Sequence, residues 1–176
     1  MVKGKQGYIK SKNITLLDTI ETGFEWAVKT LSHRPLTTKA IERKLLIRTN
    51  NASKVTSIIN RLAGCGYLDD RKFIESFIST RIRRGPYSRY KLKRELIARE
   101  LPEKLVNEMI EKLVRPEQEL AQLSTIIERK TKAWSGPADE KKLGKLYNYL
   151  LRLGFSEEAI RNHFQDSLNY CRDWEN

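Results

Sequence analysis

The residues of this chain whose types and spacing could do chemistry are cations. From Arg71 to Arg99 it reads RKFIESFISTRIRRGPYSRYKLKRELIAR, where ten Lys/Arg stand against two Glu, a net of +8. The whole chain carries +12, from 34 Lys/Arg and 22 Asp/Glu. The candidate contact residues are Arg71, Lys72, Arg83, Arg84, Arg89, Lys91, Lys93, Arg94 and Arg99. Fixed positive charge at this density makes no bonds; it attracts a polyanion, either nucleic acid or an acidic protein groove. A face built for solubility alone mixes both signs, so the one-sidedness of the run argues for a partner. Tyr87 and Tyr90 sit among these cations and are candidates to stack on bases.

Catalytic chemistry finds no comparable support. The chain has no GxxxxGK[ST], HExxH or GxSxG motif. His33 and His163 are far apart. His33 falls at a helix end, where a cationic ring favours the dipole, and His163 reads as a packing residue. Asp69 and Asp70 are adjacent at a helix start, which suits capping and not a converging metal or acid–base pair. The chain therefore reads as a non-enzyme without cofactor or metal. Cys65 and Cys171 form no CxxC and read as a reduced pair. No run of about 18 apolar residues is present, and no apolar stretch follows the early lysines. No membrane partner and a cytoplasmic location are expected.

The elements that must position the cations are helices. Apolar residues recur at i, i+3, i+4 and i+7, as in Val55, Ile58, Ile59 and Leu62. Helices are expected from about Glu21, from Thr37 or Thr38, around Val55, from Asp70 to Arg84, from Ser88 and from Pro102. Others follow from Pro116 to about Trp134, from Asp139, and after Gly154-Phe155-Ser156. Pro35, Gly64, Gly66, Gly85-Pro86 and Ser135-Gly136-Pro137 separate them. No segment alternates in the manner of a strand.

The apolar ladders repeat. Ile41, Leu45, Val55 and Ile59 are separated by steps of 4, 10 and 4, and so are Leu92, Leu96, Val106 and Ile110. The same steps separate Leu146, Leu150, Ile160 and Phe164. Three matching ladders, each with turn residues in the long step, define a three-helix unit used three times. The expected fold is all-α: three tandem three-helix repeats forming an elongated, curved array. The expected division is a flexible basic arm over 1–20 and repeats over 21–68, 69–115 and 116–176. An antiparallel pair of helices joined at Gly85-Pro86 would gather Arg83, Arg84, Arg89 and Lys93 on one face. Reversing all four is then expected to leave stability nearly unchanged, as surface substitutions do.

Gly66-Tyr67-Leu68-Asp69-Asp70, then Phe73 and Phe77, Arg83-Arg84-Gly85, and Arg94-Glu95-Leu96 together resemble the RecX regulatory proteins. Leu31-Ser32-His33-Arg34-Pro35 and Leu153-Gly154-Phe155-Ser156-Glu157-Glu158-Ala159-Ile160 extend that resemblance over roughly residues 24–168. It implies three tandem three-helix repeats lying in the groove of the RecA–single-stranded DNA filament. It also implies a non-enzymatic modulator, typically an inhibitor, of RecA ATPase, strand exchange and co-protease activity. DNA recombination, DNA repair and the SOS response are the implied setting. A monomer with weak affinity for single-stranded DNA alone is expected. Direct nucleic-acid binding by the basic face is the alternative. Two positions depart from the family pattern. Pro86 is inserted between Gly85 and Tyr87, and Glu100-Leu101-Pro102 replaces a Gly-Ile turn, leaving Pro102 to make it.

Overall fold

The structure, a computed structural model, describes residues 17–49, 51–136 and 138–172. Among them are nine α-helices and no strand. They are α1 (Ile20–His33), α2 (Thr38–Thr49), α3 (Ala52–Gly64), α4 (Asp70–Arg84), α5 (Arg89–Ile97), α6 (Glu103–Leu113), α7 (Pro116–Lys132), α8 (Glu140–Leu153) and α9 (Glu157–Arg172). The all-α expectation holds, and most boundaries fall where the punctuating residues place them.

Local chemistry sets the helix starts. The Thr19 hydroxyl accepts from the Thr22 amide at 3.1 Å and starts α1. Asn51 caps α3 through the Lys54 amide at 3.0 Å, Ser88 caps α5 through Lys91 at 3.1 Å, and Asp139 caps α8 through Lys142 at 2.6 Å. Each side-chain oxygen satisfies a backbone donor that the first turn leaves over. Asp70 is the first residue of α4, so the N-cap position belongs to Asp69. His33 is the last residue of α1, as expected.

The expected arm needs correction at its end. Residues 1–16 lie outside the described part. Leu17, however, is buried and donates its amide to the Arg48 carbonyl at 3.1 Å, and Ile20 opens α1. An apolar side chain that gains burial is held in place, with about 1.5–3 kcal/mol favouring the buried state.

Each ladder falls in a hydrophobic cluster of its own. Ile41, Leu45 and Val55 are buried with Ala27, Ile58 and Leu62, and Ile59 packs at the edge. Leu92, Leu96, Val106 and Ile110 are buried with Ile74, Ile78 and Met109. Leu146, Leu150 and Ile160 are buried with Leu123, Ile126 and Ile127, and Phe164 packs at the edge. The chain divides at Asp69–Asp70 into two compact units, the second carrying α4 to α9. In the first unit, α1 and α2 both pack on α3. In the second, α4 and α5 both pack on α6, while α7, α8 and α9 pack on one another.

One turn differs from the expectation, and another, at Gly154, falls where it is expected. Glu100, not Pro102, supplies the left-handed residue that ends α5, with φ at 64°. Pro102 instead holds the N-cap position of α6 at φ −60°, a value its ring imposes. Gly154 ends α8 at φ 89°, and a Cβ placed there would lie 2.5 Å from the Ser88 hydroxyl oxygen. Ser88 is buried and donates to the Leu153 carbonyl at 2.8 Å. One serine hydroxyl thus starts α5 and ties it to the end of α8.

Candidate polyanion-binding face

The nine candidate cations differ in what they meet. α6 is the common neighbour of α4 and α5, and three of the cations meet carboxylates that it presents. Arg71 on α4 makes a two-pronged pair with Glu108 of α6, at 2.7 and 3.1 Å. Lys93 pairs with Glu103 at 2.7 Å. Arg89 pairs with Glu111, and its backbone amide donates to Glu119 of α7 at 3.0 Å. The Arg89 side chain is only 21% exposed, so this is an internal tether and not an outward contact. Arg81, a tenth cation of the run, pairs with Glu95 at 2.6 Å and bridges α4 to α5. Arg99 donates to the Glu95 carbonyl and lies 4.4 Å above the Phe77 ring.

The carboxylates register these partners. The Lys93 ammonium, mainly through its hydrogen bond, holds the Glu103 carboxyl below the usual carboxylate range. The Arg71 guanidinium does the same for Glu108. Both acids are ionised at neutral pH and neutralise part of the run.

Arg83 and Arg84 at the end of α4 are exposed and make no ion pair among the described residues. Lys72 is exposed on the first turn of α4. Of the four cations that the sequence groups, Arg89 and Lys93 pair with acids on α6, while Arg83 and Arg84 make no ion pair among the described residues. The remaining candidates, Lys91 and Arg94, line a cleft of about 450 Å³ between α5 and the end of α8, with Tyr90, Glu95, Leu151 and Arg152. Arg152 was absent from the sequence-based candidates, since it lies more than fifty residues beyond the run. Within the cleft, Lys91, Arg94 and Arg152 face one carboxylate, Glu95, which already pairs with Arg81. Tyr90 is 58% exposed, with the Arg94 guanidinium 5.7 Å from its ring centre. Tyr87 is different. It is buried in the second cluster, so it cannot stack on a base. Burial, and then the nearby Glu119 charge, raise its hydroxyl pKa above the usual value.

The arrangement offers charge without bond chemistry. Among the described residues no group of three or more His, Cys, Asp or Glu could hold a metal ion. His163 lies 3.4 Å from the Ser124 hydroxyl on the flank of the third cluster. Cys65 is an exposed free thiol. No helix of the described residues is long and apolar enough to cross a membrane.

Known proteins show the same elements. The model of the second three-helix domain of RecX matches residues 69–110, and that of the third matches residues 117–163. The regulatory protein RecX of Trichlorobacter lovleyi is 27% identical over 140 residues, covering 79% of this chain and 91% of that protein. Its counterpart in Chlorobium phaeobacteroides is 30% identical over 138 residues, covering 78% and 88%. That of Thermus thermophilus is 35% identical over 108 residues, covering 61% and 73%. The crystal structure of RecX from Lactobacillus salivarius shares the fold, with a TM-score of 0.74 at 22% identity over 84% of this chain and 95% of that one.

Proposed function

The chain belongs to the RecX family of regulatory proteins, and we propose that it binds the groove of the RecA–single-stranded DNA filament and inhibits RecA. ATP hydrolysis, strand exchange and co-protease activity by RecA are the processes it lowers. It acts in the cytoplasm as a monomer, in recombination, repair and the SOS response, without catalysis of its own. Its working parts are three repeats, with the second over 69–115 and the third over 116–176.

The observation that carries this reading is the cleft between α5 and α8. Three cations from two helices, Lys91, Arg94 and Arg152, surround it. A groove that combines acidic protein surface with phosphates suits such a lining, because a concave site of one sign focuses its field on the opposite sign. Arg83 and Arg84 extend the positive surface at the end of α4.

The test is a titration into RecA turning over ATP on single-stranded DNA. Hydrolysis slows at amounts of this protein well below those of RecA; an unchanged rate across the titration overturns the proposal. Direct binding of nucleic acid through the same face, with RecA incidental, gives a different signature. It shows tight binding to bare DNA with a salt slope of about −0.7 per neutralised phosphate of a single strand.

A further inference from the structure

α8 borders another cleft, and none of its lining belongs to the Arg71–Arg99 run. It lies between the end of α7 and the first half of α8, with a volume of about 360 Å³. Its lining is Lys130, Trp134, Lys142, Lys145, Leu146 and Tyr149. That volume is at the small end of the range of about 300–1,000 Å³ typical of ligand sites.

The chemistry of the lining is specific. Leu146 is buried, and Trp134 and Tyr149 are half-buried against the third cluster, forming an apolar aromatic floor. The Lys130 ammonium lies 4.9 Å from the Tyr149 ring centre. Lys142 is held over the cleft by the Ser135 carbonyl at 2.8 Å. No carboxylate is among the lining residues. Glu128 lies 3.9 Å from Lys132, and Asp139 caps α8 and stands 3.9 Å from the lining Lys142. Lys130 and Lys145 make no ion pair among the described residues. Between Glu128 and Lys145 six Lys/Arg stand against three acids. Lys142 already has Asp139 beside it, but the Lys130 and Lys145 ammonium groups border the same apolar floor, and an anion placed between them relieves their repulsion.

Aromatic floor and cationic rim together select a flat ring that carries phosphate. Lys130 stands on the α7 wall and Lys142 and Lys145 on the α8 wall, so the cations flank the floor from two sides. One nucleotide of a single strand has that form, with a base in the middle and a phosphate on either side. A duplex keeps its bases stacked internally and offers no free ring face. We propose that the α7–α8 cleft is a nucleotide site for single-stranded nucleic acid. It stacks one base on Trp134, beside the Tyr149 ring that the Lys130 ammonium covers, and holds the flanking phosphates with Lys130, Lys142 and Lys145. Base–aromatic stacking tolerates any sequence, so the site takes single strands without base preference.

This assignment does not depend on RecA and is tested without it. An end-labelled oligothymidylate is titrated into the full chain, with label anisotropy and tryptophan emission followed together. The emission falls in step with the anisotropy rise. In Trp134→Phe the emission change disappears while most of the binding remains, which locates the contact. In Lys130→Glu/Lys145→Glu, both exposed substitutions, the midpoint of the emission change moves at least tenfold higher. Thymidine monophosphate in a parallel titration gives a midpoint at least a hundredfold weaker than the oligomer; equal midpoints would reassign the cleft to a free nucleotide and overturn the single-strand reading. Binding without any Trp134-dependent emission change, an unmoved midpoint in the double variant, or no anisotropy rise would each overturn the site. Circular dichroism of both variants confirms that the helices are intact.

Discussion

The cations of α4–α5 and those bordering the α7–α8 cleft show that equal charge in the sequence is not equal charge at the surface. In the first region Arg71, Arg81, Arg89 and Lys93 each meet a carboxylate from another helix. Around the α7–α8 cleft, Lys130 and Lys145 meet none among the described residues, and no carboxylate lines the cleft. The α4–α5 region has the greater formal charge, yet much of that charge ties helices together. Lys130 and Lys145 are few by residue count, but they border an aromatic floor and are exposed. Net charge counts the cations; the pairing pattern shows which of them face a carboxylate on another helix.

The largest perturbation is at Gly154, next to the α5–α8 cleft. Gly154→Ala forces a β-carbon into the left-handed region, at about 1–2 kcal/mol. It also displaces the Ser88 hydroxyl, whose buried hydrogen bond to Leu153 is worth about 1–3 kcal/mol once a partner is left unsatisfied. A loss of about 3 kcal/mol is expected, read as a shift in the urea midpoint. At urea concentrations where the variant stays folded, the Trp134 emission change on oligothymidylate persists, because that cleft lies on the far half of α8. Simultaneous loss of both properties would mean that the two clefts are one cooperative site.

Next in size is a contrast within the basic run. Arg89→Glu places a carboxylate beside Glu111 and Glu119 in a site that is only 21% exposed, and costs about 2 kcal/mol. Arg83→Glu/Arg84→Glu, on an exposed helix end, changes stability by no more than about 0.5 kcal/mol per substitution. Reversing all four of Arg83, Arg84, Arg89 and Lys93 is therefore expected to lower the melting temperature through the pairs of Arg89 and Lys93, where the reading from sequence expects it nearly intact. A loss of RecA inhibition in that quadruple variant would be confounded with unfolding. In the Arg83/Arg84 pair it would report contact alone. Equal melting temperatures for Arg89→Glu and the Arg83/Arg84 pair would show that the tether at Arg89 carries no weight.

These contrasts mark what was legible in the sequence. The helices were, because four-residue ladders separated by ten-residue steps leave few alternatives, and because Ser88, Asp139 and Gly154 announce their turns. The pairing was not. Arg71 meets a glutamate 37 positions away, and the Arg89 amide meets one 30 positions away. A tally over one contiguous run cannot include partners on other helices. The α7–α8 cleft was hidden for a related reason. The Ser135-Gly136-Pro137 break splits its lining in the sequence, with Lys130 and Trp134 on one side and Lys142, Lys145 and Tyr149 on the other. The signal that could have found it was a tryptophan between two lysine groups at a helix–helix turn. Glu100 was missed because the expectation of a proline-made turn ignored the left-handed residue that such a turn still needs.

The smallest expected effect concerns acid. Glu103 and Glu108 have their carboxyl groups held below the usual range by Lys93 and Arg71. A depressed folded-state pKa means that the unfolded chain binds protons first. The stabilisation from these pairs is therefore full above the ordinary glutamate value of about 4.3 and is lost as pH falls through the lowered folded values. Both pairs are solvent-exposed, so the change is a modest steepening of the acid limb of a melting-temperature profile. Glu103→Gln/Glu108→Gln should flatten that limb below pH of about 4 relative to the parent. Lys130→Ala/Lys145→Ala should leave it unaltered, because those lysines have no carboxylate to lose. An acid limb that responds to the α7–α8 lysines would mean that they are paired in the folded chain, and the distinction between the two regions would fail at its source.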